Sequence, residues 1–130
     1  RLNLYTQLNN LKTEEELHTF EAELVDRFGE LPTQVIDLLN SVKIKWIATK
    51  AGFEKIIMKR GKLIGYFIND QQSNFYQSAG FTKVLQFVQK HPNVCKIKEK
   101  QTRNGLRLML TFDKIKSVKQ ALEVLQPIVA

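Results

Sequence analysis

Apolar residues in the first part of the chain recur at three- and four-residue intervals, which is the spacing of amphipathic helices. This pattern predicts a short first helix within residues 1–11. Thr13 and Glu16 then have the spacing of a capping box, in which each side chain accepts a hydrogen bond from the backbone N–H of the other. A second helix is therefore predicted from that point to about residue 28. Its buried side is predicted to be the apolar stripe Leu17, Phe20, Leu24 and Phe28.

A corner between the second and third helices is predicted at the segment Glu23-Leu-Val-Asp-Arg-Phe-Gly-Glu-Leu-Pro32. Gly29 has no Cβ and readily takes the left-handed conformation that closes a helix. Pro32 suits the first turn of a helix, where its missing N–H has no intrahelical partner to lose. The third helix is therefore predicted from Pro32 to about Ala51, with Gly52 as its natural end.

The remainder of the chain changes to short runs of β-forming residues with turn signals between them. Residues 53–59 and 62–68, joined by an Arg-Gly pair, predict a first hairpin. Residues 94–100 and 106–112, joined by a turn with Asn-Gly at its tip, predict a second. Both strand pairs are hairpins, so the sheet is expected to be at least partly antiparallel.

A helix is predicted after each hairpin, over residues 81–90 and from Ser117 to about Pro127. The order is then ααα-ββ-α-ββ-α, which indicates an α+β fold with a helical front and a sheet-plus-helix back. The chain has 130 residues, no internal repeat and no linker of domain-boundary length, so a single domain over residues 1–130 is expected.

Charge is distributed unevenly along the chain. Residues 1–40 carry eight acidic and three basic side chains, a net charge of −5, whereas residues 41–130 carry a net charge of +12. A basic second part would favour a polyanionic partner such as nucleic acid. Lysines spread over strands and helices are also the ordinary solvated surface of a protein, and we favour that interpretation.

Catalytic motifs are missing from the sequence: it has no phosphate-binding loop, dinucleotide fingerprint or zinc-protease pattern. His18 and His91 are far apart and have no second ligand at metal spacing. The single cysteine, Cys95, excludes an intramolecular disulfide and is expected to be buried and inert. We therefore expect neither catalysis nor a metal or cofactor in this chain. No apolar run is long enough to span a bilayer.

A row of three lysines, Lys96, Lys98 and Lys100, is predicted on one face of a strand, with Arg103 and Arg107 near it. Such a row can follow a phosphate backbone. It can also keep an edge strand soluble and unpaired. No aromatic residue interleaves the row to stack on bases, so we favour the second interpretation.

Two further groups carry open alternatives. Phe75 and Tyr76 lie in a polar loop, where they either anchor a partner or pin the loop to the core. Glu23, Asp26 and Arg27 lie three and four residues apart and share one helical face. From these residues alone, that face would be a solvated surface with intrahelical charge pairs.

A family resemblance changes the interpretation of that face. Thr13-Glu-Glu-Glu-Leu17 and the corner segment closely resemble the start of the C-terminal domain of bacterial transcription-repair coupling factors, with their acidic helix, ELxDRFGxLP corner and leucine-rich helix. Similarity continues in three later segments, Gly52-Phe-Glu-Lys-Ile56, Phe81-Thr-Lys-Val-Leu-Gln-Phe-Val-Gln-Lys90 and Ala121-Leu-Glu-Val-Leu125. A first residue other than Met fits a fragment of a longer protein.

The resemblance implies that the chain is the C-terminal regulatory domain of a larger multidomain protein. The full protein would be an ATP-driven, helicase-like translocase on double-stranded DNA, which displaces RNA polymerase stalled at lesions and recruits nucleotide excision repair. The implied location is the cytoplasm. ATP and magnesium would bind in the motor domains, so the resemblance implies no cofactor in this one.

In that family the C-terminal domain acts as an autoinhibitory clamp, which docks on an N-terminal module resembling UvrB and masks the surface that UvrA would bind. Carried over by motif position, Glu23, Asp26 and Arg27 would contact that module. Leu24 and Phe28 would support them from the core side. Two alternatives remain: an accessory module that binds nucleic acid through the basic hairpin surface, and a scaffold for RNA polymerase.

Overall fold

Three helices form the first part of the chain, as their apolar spacing predicts. The computed structural model describes residues 2–130, with side chains from residue 4 onward. The helices are α1 (Leu2–Asn10), α2 (Glu14–Phe28) and α3 (Thr33–Ala51). Gly52, with a positive φ of 81°, follows the last of them, which confirms the predicted end of α3.

A complete capping box begins α2. The Glu16 backbone N–H donates to Thr13 Oγ1, and the Thr13 backbone N–H donates to Glu16 Oε1, both at 3.1 Å. The same carboxylate oxygen also accepts from the Lys12 backbone N–H at 2.7 Å. Three N–H groups at the helix start are thus satisfied, and the predicted capping box is confirmed.

The corner between α2 and α3 follows the prediction in part. Gly29 has a positive φ of 76°, but its ψ of −148° lies outside the left-handed helical well that we predicted. That backbone region is accessible essentially to glycine alone, so the requirement for glycine stands. Pro32 lies one residue before the first helical residue, and its carbonyl accepts from the N–H groups of Val35 and Ile36 at 3.0 and 3.1 Å.

Residues 1–43 form one of two compact units of the chain. Among its described residues, three hydrophobic side chains are buried: Leu8 from α1, Leu17 from α2 and Leu39 from α3. Each helix therefore contributes one leucine to a small core. The acidic and basic side chains of α2 lie outside it.

Residues 44–130 form the second unit, which contains the sheet. The strands are β1 (Phe53–Lys59), β2 (Lys62–Phe67), β3 (Cys95–Thr102) and β4 (Gly105–Asp113), in the spatial order β1-β2-β4-β3. All three pairings are antiparallel. Two helices, α4 (Ala79–Lys90) and α5 (Val118–Leu125), and two 3₁₀ turns, Asn74–Gln77 and Gln126–Val129, complete the unit. The predicted α+β class and element order are confirmed.

One continuous hydrophobic core lies on a single face of this sheet. Phe67 and Phe112 are its largest fully buried side chains, and the rings of Phe53 and Phe81 lie 4.9 and 5.7 Å from that of Phe67. The C-terminal part of α3 contributes Ile47 and Ala51 to the same cluster. Burial of this much apolar surface is the main source of stability of the unit.

Phe75 and Tyr76 pin their loop to this core. Their rings lie 5.6 and 5.0 Å from the ring of Phe81, and the Tyr76 hydroxyl donates to the carbonyl of Ile68. Burial, with a smaller effect of the nearby Glu54 carboxylate, raises the pKa of Tyr76 above its ordinary value. The interpretation of these aromatics as loop anchors is confirmed.

Across residues 2–130, every helix is too short or too polar to cross a membrane.

Candidate docking surface

The exposed face of α2 carries the three side chains singled out by the corner motif. Glu23, Asp26 and Arg27 are all exposed, as predicted. Among the described residues, none of them takes part in an ion pair. The Arg27 guanidinium instead lies 5.5 Å from the ring centroid of Phe28. The intrahelical charge pairs that we expected are thus not formed, and both carboxylates face solvent.

These three side chains line one groove in the first unit. The groove has a volume of about 490 Å³ and lies between α1 and α2. Gln7 and Asn10 contribute polar groups from the α1 side. Its apolar lining comes from Leu11, Phe20 and Leu24. A partner would therefore meet charged and apolar groups together.

A second groove of about 590 Å³ continues around the corner. Gln7, Leu24 and Arg27 line both grooves, so the two adjoin. The second groove is the more apolar, with lining side chains that belong to α1, α2, the corner and the first turn of α3: Leu4, Phe28, Leu31, Pro32 and Val35. We call the two grooves together the corner surface.

Phe28 corrects one prediction. We expected Leu24 and Phe28 to be buried behind the charged face, but Leu24 is only half-buried and Phe28 is 67% exposed. Helical periodicity places Phe28 on the apolar side of α2, but it does not ensure that another element covers the last turn of the helix. In this unit an open groove lies beside that turn, so Phe28 is part of the corner surface.

The structure brings together four of the five basic residues that were predicted to lie near one another on the second hairpin. Lys96, Lys98 and Lys100 are exposed on β3, which is an edge strand, and their side chains share one face. Arg107 on β4 lies opposite Lys100 on that face, and its Nη2 is 2.9 Å from Glu54 Oε1. Arg103 lies in the turn after β3 and is therefore not part of the row.

Cys95 and His91 have surroundings that suit structural roles. Cys95 is buried, as predicted, and burial raises its pKa to about 11, which suppresses the nucleophilic thiolate. The ring of His91 stacks on Phe87 at 4.1 Å between centroids. Its Nδ1 lies 3.0 Å from the carbonyl of the same phenylalanine, in the last turn of α4. Nowhere in the described part of the chain do three acidic, histidine or cysteine side chains gather as metal ligands would.

Comparison with known families identifies the chain. Residues 1–78 match the family model of the TRCF domain, which covers all three helices and the first hairpin. A transcription-repair-coupling factor of Rickettsia prowazekii is 33% identical over 123 residues, or 94% of this chain and 10% of the relative. The chain belongs to the transcription-repair coupling factor family.

Other transcription-repair coupling factors agree. That of Rickettsia conorii is 38% identical over 99 residues, covering 75% of this chain and 8% of the relative, and that of Escherichia coli K12 is 33% identical over 91 residues, covering 70% and 8%. The chain thus spans about a tenth of the length of the curated relatives it matches. It corresponds to a domain within a larger protein.

A solved structure shows the same fold. The crystal structure of the C-terminal domain of a transcription-repair coupling factor superposes with a TM-score of 0.72 at 21% identity, over 98% of this chain and 75% of that one. The resemblance stated from the sequence is confirmed at the level of family and fold. The roles of individual residues in the corner surface stay predictions.

Proposed function

We propose that this chain is the regulatory, non-catalytic clamp of a transcription-repair coupling factor. It docks through the corner surface on the N-terminal module of the same protein, which resembles UvrB, and masks the surface that UvrA would bind. The full protein is proposed to use ATP and magnesium to move on double-stranded DNA and to displace stalled RNA polymerase. The observation that carries the proposal is the open corner surface at the segment that resembles the family motif.

The chemistry of the corner surface suits a reversible protein contact. Glu23 and Asp26 have no basic partner among the described residues, so a basic group of the docking partner can pair with them without first breaking an ion pair. Phe28 offers an exposed aromatic ring beside them. Aromatic side chains at the centre of an interface commonly contribute most of the binding energy, and charged pairs at the rim set specificity.

A regulatory switch needs an interface whose closed and open states differ little in free energy. Exposed ion pairs contribute about 0.2–1 kcal/mol each, so two or three of them, with one aromatic contact, form a weak interface. Tethering in one polypeptide raises the effective concentration and keeps such an interface closed. A competing partner can then open it by a modest difference in affinity.

A pull-down of the 130-residue chain with the N-terminal module tests the proposal directly. Glu23→Arg places a positive charge where a basic group of the partner is expected, so retention should fall at least fivefold relative to wild type. Glu123→Arg is the matched control, because it makes the same change of charge on an exposed position of α5 in the second unit. Equal retention of wild type and Glu23→Arg would contradict the docking role.

The regulatory step is tested in the full-length protein. Charge reversal at Glu23 and Asp26 together should release the clamp, and UvrA binding and basal ATPase activity should then both rise. If both quantities stay at the wild-type value while the pull-down shows loss of docking, the contact exists but does not inhibit. Capture of RNA polymerase instead of the N-terminal module would favour the scaffold alternative.

A further inference from the structure

The hydrophobic core lies on one face of the sheet in the second unit, and basic side chains from all four strands project from the other. Residues paired in register across antiparallel strands point to the same face. The register therefore joins the β3 row of three lysines to three more lysines on the first hairpin. These are Lys55, Lys59 and Lys62, with Lys55 opposite Tyr66 and Lys59 opposite Lys62. We call this the outer sheet face.

The opposite face of the sheet carries the hydrophobic core, which confirms which residues belong to the outer sheet face. Leu63, Leu110 and Phe112 alternate with the residues of the outer sheet face along β2 and β4, and all three are buried. Cys95 and Ile97 alternate in the same way with the β3 lysines and belong to or pack against the core cluster. The basic side chains are therefore gathered on one side by strand geometry.

Cations greatly outnumber carboxylates on the outer sheet face. It carries six lysines and Arg107, against two carboxylates, that of Asp113 and that of Glu54, which reaches Arg107. Two cations are paired: Lys62 lies 3.9 Å from Asp113, and Arg107 lies 2.9 Å from Glu54. The other five lysines are all exposed and have no carboxylate partner in the described part of the chain. One of them, Lys55, has its Nζ 4.7 Å from the ring centroid of Tyr66.

The uncharged side chains between the two lysine rows are half-buried or buried, and Ile64 and Tyr66 are the half-buried ones. Met109 is 9% exposed and Thr111 is 8% exposed, although both lie on the outer sheet face. Lysine stems lie across such a surface and leave the ammonium groups outermost. A protein partner needs an accessible apolar anchor at the centre of its interface. A phosphate backbone needs only a regular array of cations.

The spacing of that array is regular in both directions. Lysines at alternate positions of β3 lie about 7 Å apart along the strand, and the two edge strands lie about 14 Å apart across a four-stranded sheet. The major groove of B-form DNA is about 12 Å wide. The two rows can therefore contact phosphates on both sides of a groove without reading base edges.

We propose that the outer sheet face binds the phosphate backbone of duplex DNA, independently of sequence. This is a second surface, separate in residues from the corner surface, and it does not depend on the clamp. The interpretation favoured from the sequence was that the β3 lysines keep an edge strand soluble and unpaired, because no aromatic residue interleaves them, and it considered that strand alone. The register shows that they form half of a two-row array.

Fluorescence anisotropy of the 130-residue chain with two duplexes of unrelated sequence tests the proposal. Both duplexes should bind equally, and if the five unpaired lysines each neutralise a phosphate, the slope of log K against log salt is about −4.5. The triple variant Lys96→Gln, Lys98→Gln, Lys100→Gln should reduce the slope by about 2.7. The triple variant Lys83→Gln, Lys90→Gln, Lys119→Gln removes the same charge from exposed positions on α4 and α5 and should leave the slope unchanged.

Each other outcome overturns the proposal. Equal weakening by the two triple variants would mean binding by net charge alone. Absence of binding at 50 mM salt, with circular dichroism showing a folded chain, would leave no role for the array. Binding of polyglutamate as tight as that of DNA at equal salt would identify an acidic protein as the partner. Lys59→Gln on the opposite edge gives an independent check, with an expected loss of slope of about 0.9.

Discussion

The two units of the chain differ in how they use their apolar side chains. Among the described residues of the first unit, three leucines are buried, while Tyr5, Val25, Phe28 and Ile36 are between 40% and 67% exposed. In residues 44–130, aromatic and aliphatic side chains form one continuous buried cluster. A segment of about 40 residues encloses little core by itself, because its surface is large relative to its volume. The apolar groups it cannot bury are available for binding.

The two units also differ in their acidic and basic side chains. The first unit has eight acidic side chains and four basic ones, and the second has five acidic and sixteen basic. Each unit thus has a surface suited to a different partner, a protein with basic groups in one case and a polyanion in the other. The two proposed binding surfaces therefore lie on different elements of the chain.

The largest expected contrast is between two phenylalanines. Phe67→Ala removes a fully buried ring from the core of the second unit and should lower the free energy of unfolding by about 3–5 kcal/mol. Phe28→Ala removes a ring that is 67% exposed and should change it by less than about 0.5 kcal/mol, while docking on the N-terminal module weakens. Urea unfolding followed by circular dichroism measures both. Similar losses for both variants would contradict the division into a packed and a binding unit.

The next contrast is between two glycines that follow helices. Gly29 and Gly52 have φ values of 76° and 81°, so alanine at either position strains the backbone by about 1–3 kcal/mol. A Cβ at Gly29 would meet nothing within 4 Å, whereas one at Gly52 would lie 2.6 Å from Cδ2 of Phe75. Gly52→Ala should therefore cost about 1–3 kcal/mol more than Gly29→Ala. Thermal unfolding compares the two, and equal costs would mean that Phe75 moves aside freely.

A smaller effect on the free energy of unfolding depends on pH. It arises in the second unit, which contains Cys95, the only cysteine of the chain. Burial raises the folded-state pKa of its thiol from an ordinary value near 9 to about 11. Between these values the folded state holds a proton that the unfolded state releases, so the contribution is fully present below about pH 9 and is lost as pH rises toward 11. Urea unfolding at pH 8 and pH 10.5 measures it. Cys95→Ala should decline less over that range, and an identical decline would exclude the thiol as a cause.

The smallest contrast compares helix caps. Thr13 caps α2 and Ser117 caps α5, each by accepting a hydrogen bond from a backbone N–H at 3.1 Å. Replacement of either by Ala should cost about 1 kcal/mol. Hydrogen exchange should then rise at α2 amides in Thr13→Ala and at α5 amides in Ser117→Ala. A uniform rise over the whole chain in both variants would show that the two units unfold as one.

Local elements were predictable because their signals lie within a few residues. The Thr13 capping box, the glycines at the ends of α2 and α3, and the Arg60-Gly61 turn all depend on neighbours three or four positions away. The charged face of α2 was predictable for the same reason, since helical spacing alone places its members together. The exposure of that face is confirmed, but its role in docking stays a prediction.

Contacts between distant segments were not predictable from such signals. The pairing of β2 with β4 brings the two hairpins together and places Lys62 beside Asp113, although 51 positions separate them. No local pattern indicates that register, and without it the β3 lysines and the first-hairpin lysines are unrelated groups. The exposure of Phe28 was missed for a similar reason, because the apolar stripe of a helix does not show which of its residues another element covers.

The amino-acid sequence alone determined the family, the order of elements and the residues of the charged face of α2, because these follow from short-range spacing and a ten-residue motif. Tertiary structure decided that Phe28 is exposed beside an open groove and that basic side chains from four strands share one face. Those properties depend on which elements cover one another and on cross-strand register. Both are set by packing between residues far apart in the chain.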